Sequence, residues 1–403
     1  MGRTEDLIRE VDKWSAHNYH PLPVVIERGE GCWVWDVDGN KYLDMLSAYS
    51  AVNQGHRHPR IVSALKEQAE RLTLTSRAFH NDQMGAFVHQ LCELVGYPKA
   101  LPMNTGAEAV ETAIKAVRKW GYLVKGVAPD AAEIIVCDNN FHGRTTTIVG
   151  FSSEEQYRLG FGPFTPGFKL ISYGDIDALA AAITKNTVGF LVEPLQGEGG
   201  VVVPRAGYLR EAAGLCRDSN VKFMADEIQT GLGRTGRMLA CDWEDVRPDV
   251  IMLGKALGGG IYPVSAAVAD EEVMDVFTPG DHGSTFGGNP LGAAVGRASL
   301  DVIVEEKLPE RAEELGSWFM DELRAIGSPH VTEIRGRGLM VGVVINKSSG
   351  TARPFCEALM ARGILAKETH EQVVRFAPPL VITREILEEA LESIREVLRS
   401  DVQ

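Results

Sequence analysis

The sequence contains no uninterrupted apolar run of about eighteen residues, so no membrane-spanning helix is expected. It has no basic excess either: 41 Lys and Arg stand against 55 Asp and Glu, a formal net charge of −14. That balance disfavours nucleic acid and anionic membranes as partners. Cysteines are few and scattered, at positions 32, 92, 137, 216, 241 and 356. None has the Cys-x-x-Cys spacing of a zinc or redox site, so no metal site is expected. Cysteines among apolar neighbours read as buried thiols of a reducing compartment. The opening residues carry Arg3, Glu5, Asp6, Arg9 and Glu10 and lack the apolar core of a secretory signal, which makes the cytoplasm the expected location. There is no internal repeat and no low-complexity linker. With 403 residues, 44% hydrophobic and 24% charged, the chain has the composition of a globular protein and the length for two lobes.

What is present is an alternation of strands and helices. Apolar runs at 134–136, 189–192, 221–225, 250–253 and 263–268 predict strands, with helical patterns between several of them. Such alternation implies a mostly parallel sheet covered on both faces. The ends differ. Residues 32–42 alternate and carry an Asp38-Gly39-Asn40 turn, which predicts a hairpin. The last hundred residues combine a long charged helix over 310–326 with short strands interrupted by glycines at 336, 338 and 342. A small α+β lobe built from both chain ends is the economical arrangement.

Lys255 follows the apolar run 250–254 and precedes Ala256-Leu257-Gly258-Gly259-Gly260. Burial there would lower its pKa, because desolvation disfavours the charged amine. A partly neutral lysine is a nucleophile suited to Schiff bases, including those with pyridoxal phosphate (PLP). A lysine closing a strand with its ammonium in water is the alternative. About thirty residues upstream, the strand 221–225 ends in Asp226-Glu227-Ile228-Gln229. A carboxylate at the carboxyl end of a parallel strand lies where α/β proteins bind ligands, and an acid is what keeps a pyridine nitrogen protonated. The alternative for Asp226 is a helix N-cap. Asn104-Thr105-Gly106-Ala107 opens an amphipathic helix with Val110, Ile114 and Val117 on one face. Thr105 can cap it, and its N-terminus is a ready anion site.

Three other motifs carry less. Gly231 to Gly236 matches a dinucleotide fingerprint in spacing alone, since it does not open directly off a strand into an apolar helix. Gly254-Lys255 is no Walker loop, because Asp249 and Ala256 replace required residues. His56-Arg57-His58 lacks a nearby third metal ligand.

Taken together, Asn104-Thr105-Gly106, Phe141-His142-Gly143-Arg144, Glu193-Pro194 with Gln196-Gly197-Glu198, Asp226 to Gly231, Gly254-Lys255 and Gly283 to Pro290 make the chain resemble the class III aminotransferases of PLP fold type I over nearly its whole length. Within that family it is similar to the branch that uses ornithine. The narrower likeness rests on residues 17–23, 47–56 and 375–380. The resemblance implies a large PLP-binding domain with a mostly parallel seven-stranded sheet covered by helices, at 51–288. It also implies a small α+β domain from both ends, at 1–50 and 289–403.

By the same resemblance, Lys255 would bond to pyridoxal 5'-phosphate and shuttle the proton, and Asp226 would pair with its ring nitrogen. Gln229 would reach the ring oxygen, Phe141 would stack on the ring with His142 beside it, and Gly106 and Ala107 would hold the phosphate. Thr285 would reach the phosphate of a neighbouring subunit, which implies a homodimer. Glu193 would support this shell or serve structure alone. Ornithine and 2-oxoglutarate are the implied substrates, linking arginine and ornithine breakdown to proline. Arg144 and Arg375 are the candidate carboxylate forks, and Glu198 the candidate partner that masks Arg375. Tyr19 would anchor the α-carboxylate of ornithine and Tyr49 would shape the pocket, with aromatic packing between lobes as the alternative. An acetylornithine-using or other ω-aminotransferase, or a PLP aminomutase, remains a competing reading.

Overall fold

The computed structural model describes residues 2–400. Its centre is a seven-stranded sheet. The strands lie in the order Lys99–Met103, Ser265–Ala269, Val250–Leu253, Lys222–Asp226, Thr187–Val192, Glu133–Cys137 and Phe168–Ile171. Neighbours from Val250–Leu253 to Phe168–Ile171 pair in parallel, while Ser265–Ala269 runs antiparallel to both of its neighbours. The three central strands are buried at every position. That is why they read as continuous apolar runs and not as alternating ones.

The predicted strands are present, the last displaced slightly to Ser265–Ala269. The two edge strands were not among those predicted. Lys99–Met103 contains Pro102, a residue that sheets confine to their edges. Phe168–Ile171 is only partly buried, which leaves little hydrophobic signal.

Two smaller sheets flank the large one. Ile26–Glu30, Trp33–Asp36 and Lys41–Asp44 form the predicted hairpin region, and Ile364–Leu365 joins it in parallel with Lys41–Asp44. The hairpin turn is closed by Asp36, whose Oδ1 accepts the N–H groups of Asp38 and Asn40 at 3.0 and 2.8 Å. A second four-stranded sheet runs in the order Val331–Arg337, Met340–Ile345, Val373–Phe376, Lys367–Thr369. The charged helix predicted at 310–326 spans Leu308–Ala325 and packs on it. One apolar core joins Cys32, Leu43 and Met45 to Leu253 and Leu257 and to Val374 and Phe376. Both chain ends are thereby packed against the large sheet. All six cysteines are buried and unpaired. Among the described residues no helix is long and apolar enough to cross a membrane.

Candidate active site

The site assembles where the strands of the large sheet end. Asp226 is the last residue of Lys222–Asp226, Glu193 follows Thr187–Val192, and Phe141 and His142 follow Glu133–Cys137. Gly106 and Ala107 open the helix Gly106–Trp120 just past Lys99–Met103. Lys255 follows Val250–Leu253 after one glycine and adopts φ 43°, a left-handed conformation rare for a residue with a Cβ. A cavity of about 180 Å³ is walled by Gly106, Ala107, Phe141, His142, Asp226, Gln229 and Lys255, together with Gly143, Glu193, Ile228 and Thr230. Seven of the candidate cofactor residues named from the sequence, and Glu193, thus meet in one space.

Burial lowers the Lys255 amine to about 8, against the opposing pull of Glu198. Asp226 is buried, and its Oδ2 lies 2.6 Å from Nδ1 of His142. Burial opposes charge on that imidazole, but its bond to Asp226 prevails and raises its pKa. Its other nitrogen, Nε2, is buried with no hydrogen-bond partner among the described residues. Glu193 accepts the N–H of Phe141 at 3.0 Å. Burial pushes its carboxyl up to about 7; His142 opposes this and the charge of Asp226 adds to it.

The helix N-terminus is prepared for an anion. Thr105 Oγ1 accepts from the Glu108 N–H at 3.3 Å, and Glu108 Oε2 accepts from the Thr105 N–H at 2.7 Å. This reciprocal cap does not use the N–H groups of Gly106 and Ala107, which stay available at the cavity wall. Gln229 lies so close to Gly197 that a Cβ there would sit 1.6 Å from its Oε1, so a side chain at 197 would displace the Gln229 amide.

The second wall carries the candidate substrate residues. Arg375 is 1% exposed and donates from Nη1 to Glu198 Oε1 at 2.6 Å. Among the described residues its Nε and Nη2 are buried with no hydrogen-bond partner. Burial opposes ionisation of Glu198, yet Arg375 and then Lys255 hold its pKa below the usual range. The guanidinium centre lies 5.0 Å from the ring centroid of Tyr49. Gln229 Nε2 donates at 3.3 Å to both the Tyr49 carbonyl and Glu198 Oε1.

Three candidates stand apart. Tyr19 is 77% exposed, though near enough to add to the raised pKa of Tyr49, after burial and Glu198. Arg144 is exposed and stacks on Tyr157 at 3.6 Å and Phe141 at 5.3 Å. Thr285 is exposed and belongs to no wall of this cavity.

Residues outside the sequence reading also shape the site. Ile228 packs under Gly106, and Tyr262 and Val52 line a second cavity of about 370 Å³ that shares Gly106 and Lys255 with the first. Ile228 lies inside the Asp226–Gln229 motif and Val52 inside the 47–56 run, so both could have been found there; Tyr262 carries no local signal. Arg234, within the glycine-rich run 231–236, is fully buried. It donates to the carbonyls of Leu339 and Pro378 at 2.9 and 2.7 Å and to Asn53 at 2.5 Å. His56 and His58 pair with Asp44 at 2.7 Å and with Glu306 at 2.9 Å. Among the described residues no cluster of three or more His, Cys, Asp or Glu could hold a metal.

An amine of lowered pKa opposite a buried carboxylate, with free N–H groups at a helix end, suits a carbonyl cofactor that carries a ring nitrogen and a phosphate. Comparison with known proteins agrees. The family Aminotransferase class-III matches residues 14–398. The ornithine aminotransferase of Geobacillus sp. (strain WCH70) is 59% identical over 397 residues, 98% of this chain and 99% of that protein. The solved ornithine aminotransferase of Toxoplasma gondii, described with partial occupancy of PLP, superposes with a TM-score of 0.97 at 49% identity, covering 98% of this chain and 94% of its own. An acetylornithine aminotransferase from Elizabethkingia anophelis superposes with a TM-score of 0.90 at 50% identity, covering 99% of each. The chain belongs to the class III aminotransferases. It is a PLP-dependent transferase, and the free N–H groups, the Lys255 amine and the Asp226 carboxylate fit that cofactor.

Proposed function

We propose that this protein is an ornithine δ-aminotransferase. It would move the δ-amino group of L-ornithine to 2-oxoglutarate, giving L-glutamate 5-semialdehyde and L-glutamate. The semialdehyde closes spontaneously to pyrroline-5-carboxylate, which ties ornithine and arginine breakdown to proline. The observation that carries this reading is the buried Glu198–Arg375 pair with the Tyr49 ring beside it. An unmasked Arg375 would grip the α-carboxylate of any amino acid and present its α-amine, which suits glutamate and is wrong for δ-transfer. With Glu198 bonded to it, the fork is neutralised and the far amine of ornithine can enter. When 2-oxoglutarate binds, Glu198 would swing aside, a movement its neighbours Gly197, Gly199 and Gly200 permit.

PLP supplies the carbonyl that takes up the amino group and the ring that withdraws electrons. Gly106 and Ala107 would hold its phosphate, Asp226 would keep a proton on its ring nitrogen, and Phe141 and Gln229 would contact the ring. His142, bonded to Asp226, would steady that carboxylate. Lys255 Nζ would carry the proton between two carbons, a task that an amine held near 8 performs at neutral pH. Tyr19 would anchor the α-carboxylate of ornithine, and Arg144 would take a substrate carboxylate. Thr285, exposed and away from this chain's own cavity, supports a homodimer in which it completes the neighbour's phosphate site. The proposed location is the cytoplasm.

Acetylornithine is the competing substrate, favoured by the likeness to an acetylornithine aminotransferase. Initial rates with L-ornithine and N-acetyl-L-ornithine, each with 2-oxoglutarate, decide between them. A clear preference for the acetylated substrate would displace the ornithine reading.

A further inference from the structure

The segment from Asp44 to His56 contains a turn that L-residues avoid. Ser47, Ala48, Tyr49 and Ser50 have φ of 52°, 46°, 60° and 70°, four left-handed residues in a row without a glycine. Each Cβ in such a run crowds its own backbone. The turn persists only where its surroundings over-determine it.

Asp44 supplies that determination. The side chain is buried and has no role in the chemistry above. Its Oδ1 accepts the N–H groups of Leu46 and Ser47, both at 2.8 Å. Its Oδ2 takes the Nε2 of His56 at 2.7 Å. The backbone of His56 is bridged to Gly31, with N–H···O distances of 2.7 and 3.1 Å. At the other side, Ser47 Oγ donates to the carbonyl of Ala377 at 2.6 Å, two residues beyond Arg375. The turn therefore delivers Tyr49 in one pose, its carbonyl to Gln229 and its ring toward Arg375.

We propose that Asp44, clamped by His56, is a positioning residue for substrate choice: it holds the left-handed turn that keeps Tyr49 against the Glu198–Arg375 pair. The inference rests on the reading of Tyr49 as an ornithine-facing residue. Without Asp44 the turn relaxes toward ordinary backbone and Tyr49 withdraws. Gln229 then loses one of its two acceptors, and Arg375 is freer to take the carboxylate of glutamate.

The test uses the PLP-loaded enzyme and follows the cofactor absorbance change in each half-reaction, with L-ornithine or with L-glutamate. Asp44→Ala should lower the ornithine-to-glutamate ratio of kcat/KM about tenfold or more, with cofactor content and the glutamate rate within about threefold of the parent. Asp44→Asn should restore the ratio, because its oxygen still accepts both N–H groups and its amide can donate to His56 Nε2 when the imidazole takes its other tautomer. His56→Ala removes one clamp and should lower the ratio more mildly, which keeps a readout if Asp44→Ala does not fold. Parallel loss of both rates and of cofactor would mark a merely structural role and overturn the inference. An unchanged ratio in Asp44→Ala or His56→Ala, where Tyr49→Ala shifts it, overturns the inference alone. An unchanged ratio in Tyr49→Ala removes the reading of Tyr49 and the inference with it.

Discussion

Glu198→Ala removes the partner of a cation that has almost no contact with water. Arg375 is 1% exposed, and Glu198 is the acceptor of its Nη1 at 2.6 Å. Among the described residues its Nε and Nη2 have no partner to fall back on. Breaking a buried pair from one side costs about 3–5 kcal/mol, because a charge is left uncompensated. The Glu198 side chain keeps 24% of its exposure, so water reaches that side and the lower end of the range applies. The ligand-free variant should melt at a lower temperature, and a dicarboxylate should restore it.

Catalysis should shift the other way. Glutamate would no longer compete with Glu198 for the guanidinium. One hydrogen bond to a charged group contributes about 1.5–3 kcal/mol, and each 1.4 kcal/mol is about tenfold. The glutamate half-reaction should therefore gain about ten- to a hundredfold in kcat/KM relative to ornithine. Rapid-mixing absorbance with each amino acid separately measures that ratio. If it equals the parent's, the pair is a static link between lobes and the switching argument fails.

Other substitutions test other parts of the site. Lys255→Ala should abolish transamination while circular dichroism stays native, and activity within about tenfold of the parent would remove the lysine from its proposed role. Asp226→Ala should keep the cofactor weakly and lose most of the rate, since nothing else would hold the ring proton; normal turnover would contradict this. Because burial holds the Lys255 amine at about 8, protein stripped of cofactor should recapture it faster as pH rises through 8 and level off above it, the neutral amine being the nucleophile. A recapture rate independent of pH across that range would show an amine of a different kind. Thr105→Ala removes a helix cap and should cost about 0.5–2 kcal/mol, seen as a lower melting midpoint and quicker loss of cofactor.

Much of this was legible along the chain because the signals are local. Strands buried on both faces are mostly apolar, so Thr187–Val192, Lys222–Asp226 and Val250–Leu253 are visible as runs bounded by polar residues. The polar residue that ends such a run lies at the ligand-binding edge, which is how Asp226 and Lys255 are found by reading alone. The cap at Thr105 and the apolar stripe of its helix are equally local. The edge strands Lys99–Met103 and Phe168–Ile171 were missed for the same reason in reverse, being short, half-buried or interrupted by proline.

Tertiary structure decided what no window of sequence contains. Glu198 and Arg375 are separated by 177 positions and meet because the strand Val373–Phe376 is packed against the loop that follows Thr187–Val192. The left-handed turn at Ser47–Ser50 contains no glycine to announce it; it is imposed by Asp44, His56 and the carbonyl of Ala377. Arg234 sits in a glycine-rich run that has the spacing of a nucleotide loop, and its burial against Asn53, Leu339 and Pro378 depends on three distant segments. Periodicity located the inner strands of the large sheet and the polar residues beyond their ends, because burial and strand period act within a few residues. Which side chains face each other across the pocket followed only from the packing of the chain ends onto that sheet, because those contacts are set by long-range docking.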